Sequence, residues 1–182
     1  MMMFDNIKNE PIAILEIGSF EGLSAAWMLE NIMLHPASHM ICVDPFTGND
    51  EHSPTERDGL FARFQANVLN NYPGRVTCIQ EESHTALKAL SLQYERDQSA
   101  RLFDIIYIDG DHHASAVLED MVLAYRLLKK HGVMVIDDFL WNHCQLCSLK
   151  HPYPGINAFM SAYANKMKVI YAGYQLFLQK LV

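Results

Sequence analysis

The sequence predicts an α/β fold: a doubly wound, Rossmann-like sheet with helices on both faces. Short β-branched runs alternate with longer amphipathic stretches, which is the pattern of repeated βα units. The run over residues 103–108 is almost continuously apolar, as expected of a parallel strand covered on both faces. With 182 residues, half of them apolar, the chain is long enough to form one domain over residues 1–182.

Each element follows from the local pattern of apolar and turn-forming residues. The predicted strands cover residues 12–15, 40–43, 76–79, 103–108, 133–136, 169–171 and 174–178, and the last two form an antiparallel hairpin. The predicted helices cover residues 23–34, 54–68 (capped by Ser53), a stretch from Ser83 to about residue 94, 114–129 and 156–163. Residues 47–53 and 142–154 are predicted to be loops. This order of elements indicates one sheet with ligands bound at the carboxyl ends of its strands.

Charge and composition narrow the classes of partner. The net charge of −7 argues against a nucleic acid or a membrane surface as partner, and so favours a small molecule. The N-terminus lacks the pattern of a secretory signal, and no apolar run approaches the roughly 20 residues of a membrane span. Because four cysteines do not form a disulfide scaffold, we expect a cytoplasmic protein.

The turn after the first strand reads EIGSFEG, residues 16–22. A dinucleotide site requires a third glycine and a phosphate loop requires a lysine, and this turn has only Gly18 and Gly22. Glu16 and Glu21 are unfavourable for a pyrophosphate and suit a ligand that carries an ammonium and a sulfonium group. Gly18 would allow a sharp turn and Gly22 close packing of the next helix.

The next two strand ends add features that a nucleoside ligand would use. Asp44 ends the second strand, where a carboxylate can accept hydrogen bonds from ribose hydroxyls. Glu82 and Ser83 follow the third strand within reach of an adenine edge. Each feature alone is common in tight turns and helix caps, and their occurrence at three successive strand ends indicates a binding site.

The chain resembles the class I S-adenosylmethionine (SAM)-dependent methyltransferases, and among them the small-molecule O-methyltransferase-like families of the methyltransferase family 24 type. The resemblance rests on LEIGSFEGLSA (15–25), ICVDPF (41–46), EESHTAL (81–87), FDIIYIDGDHH (103–113), VMVIDDF (133–139) and GYQLFLQK (173–180). It implies a seven-stranded sheet of order 3-2-1-4-5-7-6 with the last strand antiparallel, and SAM as cofactor. The residues it implies in cofactor binding are Glu16, Gly18, Ser19, Gly22, Asp44, Glu82, Ser83 and Asp109.

Acidic residues end the fourth and fifth strands, which are neighbours in such a sheet. Asp109, Asp137 and Asp138 would raise one another's pKa, and a divalent cation would relieve the repulsion, Mg²⁺ most simply, or Ca²⁺ or Mn²⁺. Alternatively, Asp137 or Asp138 caps backbone amides and Asp111 faces water.

The acidic pattern is similar to that of the divalent-cation-dependent catechol-type O-methyltransferases, with Asp109 among the catalytic residues. Where that family has a lysine three residues after the first aspartate, this chain has His112, which could act as a general base. His112 could instead cap the following helix, and His113 is the second choice for the base. The predicted reaction is methylation of a small-molecule hydroxyl with help from the metal.

Other functions stay open from the sequence. A SAM-binding protein without transferase activity, or a partner subunit, would bind SAM without turnover. A metal-dependent enzyme of the cephalosporin-hydroxylase-like branch shares the acidic pattern. A nicotinamide-dependent oxidoreductase is disfavoured, because the turn after the first strand lacks the third glycine of a dinucleotide site. Residues 47–53, residues 141–154 or a second copy in a homodimer would have to cover the site. His143, Cys144, Cys147 and His151 have zinc-ligand types, although one C-x-x-C motif is a weak signal.

Overall fold

One mixed sheet of seven strands forms the centre of the molecule. The computed structural model describes residues 4–49, 52–97, 102–141 and 148–182. The strands are β1 (Ala13–Ile17), β2 (His39–Val43), β3 (Val76–Ile79), β4 (Phe103–Ile108), β5 (Leu128–Ile136), β6 (Met167–Ala172) and β7 (Leu176–Lys180). Their order is β3-β2-β1-β4-β5-β7-β6, with β1 to β5 parallel and β7 antiparallel to both of its neighbours. The predicted fold class and strand order are therefore confirmed.

Helices cover both faces of this sheet. They are α1 (Leu23–Asn31), α2 (Pro54–Arg57), α3 (Leu60–Phe64), α4 (Ser83–Arg96), α5 (Ala114–Leu127) and α6 (Pro152–Ala162), and a π-helical segment, Gln65–Leu69, continues α3. Within the described parts of the chain, no helix has the length and apolar character needed to cross a membrane.

Two apolar cores lie on opposite faces of the sheet because strand side chains alternate between the faces. On one face Ile106 and Met134 pack with Leu87 of α4, Met121 of α5 and Phe159 of α6. On the other face, a second core is formed with α1 and α3 by Ile14, Met40, Ile105, Val135, Leu29 and Phe64. All five residues of β1 are buried, as expected of a central parallel strand.

The single helix predicted from Ser53 to Val68 is wrong. Ser53 does cap a helix through a capping box with Glu56, but that helix, α2, ends at Arg57. Asp58 is extended and Gly59 adopts a left-handed φ of 65°, so the chain changes direction before α3 begins. Leu60 and Phe64 are still buried together, so the apolar spacing was informative although the helix is interrupted.

Three other boundaries differ from the prediction. Ser83 is the first residue of α4, and Glu82 occupies the cap position without a side-chain cap hydrogen bond. β5 begins at Leu128, and Lys129, predicted to be helical, donates from Nζ to Asp104 at 2.8 Å. Helix α6 begins at Pro152, inside the segment predicted to be a loop. The first N–H groups of a helix have no partner within the helix, so proline, which lacks this group, is tolerated there.

Candidate functional site

A cavity of about 1310 Å³ opens at the carboxyl ends of β1, β2 and β4 on the α1 side of the sheet. Seven of the predicted site residues line it: Gly18, Ser19, Asp44, Glu82, Ser83, Asp109 and His112. Glu16, Gly22, Asp137 and Asp138 are not among the lining residues. The structure therefore gathers most of the predicted site around one space and places the other residues around or beneath its wall.

The turn after β1 lies directly against the end of β4. Gly18 has a φ of +82°, and a Cβ atom there would lie 2.0 Å from the carbonyl oxygen of Asp109. Its N–H donates to the Val43 carbonyl at 2.9 Å. Gly22, with φ +87°, packs against Val68, whose Cγ2 would lie 2.2 Å from an added Cβ. Gly18 thus shapes the cavity, whereas Gly22 seats α1 on the helical segment beside it.

Asp44 organises the same turn through its carboxylate. Its Oδ2 accepts the N–H groups of Ser19 at 2.9 Å and Phe20 at 2.8 Å, and Oδ1 accepts that of Phe46 at 2.5 Å. Phe20 and Phe46 both have positive φ, 46° and 57°, conformations that these bonds help to maintain. The carboxylate predicted to meet a ribose is therefore also the anchor of the turn above β1.

Glu16 is fully buried beneath the cavity wall. It accepts hydrogen bonds of 2.6 Å from the hydroxyls of Ser19 and Ser24, and both serines line the cavity. Burial raises the pKa of Glu16 to about 7, although the two serine hydroxyls oppose the shift. Glu16 therefore contacts the cavity lining through Ser19 and Ser24.

A short loop after β2 forms another wall. Thr47, Gly48, Asn49 and His52 line the cavity, and the His52 ring stacks on Phe20 with ring centres 4.4 Å apart. Arg57 holds this loop by donating to the carbonyl oxygens of His52, at 3.0 Å, and of Asn49. The segment 47–53 predicted to cover the site therefore contributes to its wall.

Asp109, His112 and Asp138 form the charged cluster beside the cavity. The Nε2 atom of His112 lies 3.0 Å from Asp138 Oδ2 and 3.5 Å from Asp109 Oδ1, and the three potential ligand atoms lie within 4.8 Å of one another. Burial raises the pKa of Asp109 to about 6, and the hydrogen bond from His112 opposes this. Asp138 has a φ of 54°, a conformation that is costly for a residue other than glycine.

Asp137 points to a different set of partners. Its Oδ2 accepts from the hydroxyl of Tyr107 and, at 3.0 Å, from Nε2 of Gln175, while Oδ1 accepts the N–H of Asp138 at 2.8 Å. The three predicted metal ligands are thus adjacent, but Asp109 and Asp138 are grouped with His112 and not with Asp137. Sequence analysis missed Tyr107, although it lies two residues before Asp109 and so on the same face of β4.

The ring of Trp141 packs beside His112. The ring centres of Trp141 and His112 are 4.9 Å apart. His151 is buried at the start of α6, and its ring centre lies 5.2 Å from that of Trp141. His113, the alternative base, contacts Asp111 at 2.6 Å with about half of its side chain exposed. The predicted zinc-ligand types His143, Cys144 and Cys147 lie outside the described residues.

A buried carboxyl that the sequence did not predict lies behind the part of the cavity that Ser83 lines. Asp120 of α5 is 3% exposed and hydrogen bonds to Ser83 at the start of α4. Its spacing from Val117 and Ala124, three and four residues away, could have shown that it faces the core. Burial raises its pKa to about 7.

Replacing Asp120 with asparagine is expected to stabilise the protein above neutral pH. The folded protein holds the Asp120 proton up to about pH 7 while an unfolded chain loses it near the ordinary aspartate pKa of 3.8, so stability falls as pH rises between these values. Asparagine removes the charge, and we expect a gain of about 1–3 kcal/mol in unfolding free energy at pH 8 but little at pH 4. Urea unfolding at both pH values measures this.

The neighbouring Glu119→Gln is the matched control, since about half of that side chain is exposed and the change should have little effect. Equal destabilisation by Asp120→Asn at both pH values would contradict this prediction. It would mean that the hydrogen bond of the carboxyl stabilises the fold and that its charge does not lower the stability at pH 8.

Residues 15–139 match the model of a protein family described as a methyltransferase domain. The chain belongs to this family. Its predicted resemblance to the class I methyltransferases is thereby confirmed, and the matched span runs from Leu15, within β1, past the Asp137–Asp138 pair.

Individual relatives are distant. The methyltransferase domain is 25% identical over 135 residues to "Uncharacterized protein R132" of Acanthamoeba polyphaga mimivirus, an alignment that covers 74% of this chain and 55% of that protein. The chain therefore spans about half the length of this curated relative.

Solved structures share its fold. One is the O-methyltransferase from Bacillus cereus in complex with SAH, with a TM-score of 0.63, 19% identity, and coverage of 92% of this chain and 73% of that one. Another is MycE, a methyltransferase of the mycinamycin biosynthetic pathway in complex with Mg and SAH, with a TM-score of 0.60, 16% identity, and coverage of 98% and 47%.

Proposed function

We propose that this methyltransferase domain transfers a methyl group from SAM to a hydroxyl of a small molecule. The observation that carries the proposal is one continuous cavity that joins the turn after β1, the ends of β2 and β3, and the Asp109–His112 pair. A cofactor and an acceptor could therefore meet beside a potential base.

The residues at the cofactor end suit SAM, which supplies a methyl group activated by its sulfonium. Gly18, Asp44, Glu82 and Ser83 all line the cavity. In this proposal Gly18 leaves room beside β1, Asp44 would hold the ribose, and Glu82 and Ser83 would contact the adenine. Among the described residues no lysine or arginine lines the cavity, which disfavours a pyrophosphate ligand and favours a cationic one. The similar Bacillus cereus O-methyltransferase was solved with SAH, the product of methyl donation.

Because Nε2 of His112 is buried and faces two carboxylates, it would carry the ring proton, and Nδ1 would accept the proton of the acceptor hydroxyl. The carboxylates of Asp138 and Asp109, at 3.0 and 3.5 Å, would stabilise the imidazolium that forms. Trp141 restricts the ring from one side. Positioning of the acceptor supplies the rest of the rate, because a sulfonium is already a good leaving group.

We further propose a divalent cation at Asp109 and Asp138. Their carboxylates suit Mg²⁺, Ca²⁺ or Mn²⁺, and MycE was solved with Mg. A bound cation would lower the pKa of the acceptor hydroxyl. Asp137 would join this set only if its Oδ2 lost the hydrogen bonds from Tyr107 and Gln175. If His112 were also a ligand, the site would prefer metals that favour imidazole.

Calorimetric titration of SAM tests the proposal, first with EDTA and then with excess Mg²⁺. We expect binding in both conditions, followed by methyl transfer to hydroxyl acceptors that Mg²⁺ stimulates. The absence of binding in both conditions would remove SAM from the proposal. Binding without turnover on any acceptor would instead support a SAM-binding protein without transferase activity.

Replacing Asp44 with alanine is expected to weaken SAM binding at least about tenfold, because the turn after β1 loses three hydrogen bonds and the ribose loses its proposed partner. Titration of SAM into the variant measures the loss. Asp5→Ala removes the same group from the other end of the cavity and should leave SAM affinity unchanged. Equal losses in the two variants would indicate a general charge effect in place of a ribose contact.

A further inference from the structure

The cavity is larger than one cofactor requires. Ligand pockets are commonly about 300–1,000 Å³, and this one reaches about 1310 Å³. Gly18, Asp44 and Ser83 mark the proposed cofactor end, while Trp27 and Phe177 lie at the other end. The second end is therefore available for an acceptor, an assignment that rests on the proposed function.

An apolar strip leads away from Asp109 along the sheet. Ile105 and Tyr107 precede Asp109 at every second position of β4, so all three face the same side. Val135 of β5 and Phe177 of β7 extend the strip, and all of these residues line the cavity. Ile105 and Val135 are only 1% and 3% exposed, so Tyr107 and Phe177, which are both partly exposed, supply the accessible part of this strip.

Two exposed side chains of α1 border this strip. Leu23 is 85% exposed and Trp27 is 48% exposed, although both are large apolar residues, and they are four positions apart on one face of the helix. Both line the cavity. Phe4 reaches the same region, with its ring 6.0 Å from that of Phe177. Aromatic and aliphatic groups therefore border the space from several sides.

The charges around the cavity are acidic. Its acidic lining residues are Asp5, Glu21, Asp44, Glu82, Asp109 and Asp111, and no lysine or arginine lines it within the described ranges. Asp5 is already paired with Lys8 at 3.2 Å and Glu21 with Arg63 at 2.6 Å, so the like charge at the acceptor end comes from Asp109 and Asp111. An anionic group on the acceptor would meet this charge and no lysine or arginine of the cavity lining, which costs binding free energy.

We propose that the acceptor is an uncharged or cationic molecule with a flat apolar body, seated against Tyr107 and Phe177 of this strip, and that the site rejects acceptors with carboxylate or phosphate groups. The apolar body gains affinity from burial against the strip. The reacting hydroxyl then lies at the Asp109–His112 end.

Three catechols of matched shape test this inference: 4-methylcatechol, dopamine and 3,4-dihydroxybenzoate, which are neutral, cationic and anionic. Their binding is measured by saturation-transfer NMR with SAH and EDTA present, so that no divalent cation neutralises Asp109. We expect the first two to bind at least about tenfold more tightly than the benzoate. Equal or tighter binding of the benzoate, or failure of all three to bind, would overturn the inference.

A second test places a positive charge at the border of the strip. Trp27→Lys should raise the affinity for 3,4-dihydroxybenzoate at least about fivefold. Leu34→Lys adds the same charge at a residue that is 46% exposed and does not line the cavity, and should have no effect. An unchanged benzoate affinity in Trp27→Lys would reject this acceptor surface.

The SAM titration keeps this inference separate from the proposed function. A protein that binds no SAM loses the proposed function itself. A protein that binds SAM and prefers the benzoate loses only the acceptor class.

Discussion

Replacing Asp109 with asparagine is expected to lower methyl transfer by on the order of 10²–10⁴-fold while leaving SAM affinity nearly unchanged. The carboxylate lies 3.5 Å from His112 Nε2 and belongs to the group that could hold a divalent ion, so its charge serves both the imidazolium and the metal. Asparagine keeps the shape and removes the charge. Turnover with and without Mg²⁺, together with a SAM titration of the variant, measures the effect.

Asp111→Asn is the matched control for this prediction. It removes one negative charge two residues away, and the Asp111 carboxylate, about half exposed, pairs with His113 and acts on His112 only through a longer-range attraction. We expect the control to retain turnover and its stimulation by Mg²⁺. If Asp109→Asn lost SAM affinity together with turnover, Asp109 would belong to the cofactor end and not to the chemistry.

The strands could be anticipated because the evidence for each is local, whereas their order in the sheet was implied by the resemblance to the class I methyltransferases. Each strand appears in the sequence as a short apolar run, and the acidic and glycine-bearing turns follow the strands. The interruption at Gly59 was not predicted, because apolar spacing continues through Leu60 and Phe64 whether or not the helix is continuous. A spacing pattern reports which residues face the core and not whether the hydrogen bonds between turns persist.

The sequence predicted which residues belong to the site better than it predicted the directions of their side chains. Glu16 was expected at the end of β1, but its burial beneath Ser19 and Ser24 depends on how the turn folds over it. Asp137 and Asp138 are neighbours in sequence, and the left-handed φ of Asp138 separates their carboxylates. Such strained conformations are fixed by tertiary contacts, so composition and spacing do not reveal them.

Replacing Gly18 with alanine is expected to be the most damaging change to cofactor binding. A Cβ atom would lie 2.0 Å from the Asp109 carbonyl oxygen and 2.4 Å from its carbonyl carbon, and these backbone atoms cannot move without displacing the end of β4. The turn must instead move away from β4, which disturbs Ser19, the Asp44 hydrogen bonds and Asp109 together. We expect a loss of SAM affinity on the order of 100-fold or more.

Gly74→Ala separates steric overlap from backbone strain. Gly74 has a φ of +76°, close to the +82° of Gly18, but an added Cβ would have no neighbour within 4 Å. This control should therefore cost only the strain of a left-handed alanine, about 1–2 kcal/mol of stability, with SAM affinity intact. Thermal unfolding and SAM titration of both variants make the comparison. Similar behaviour of the two would mean that strain alone governs Gly18, whereas a loss of affinity confined to Gly18→Ala would show that the cavity depends on the contact between the β1 turn and β4.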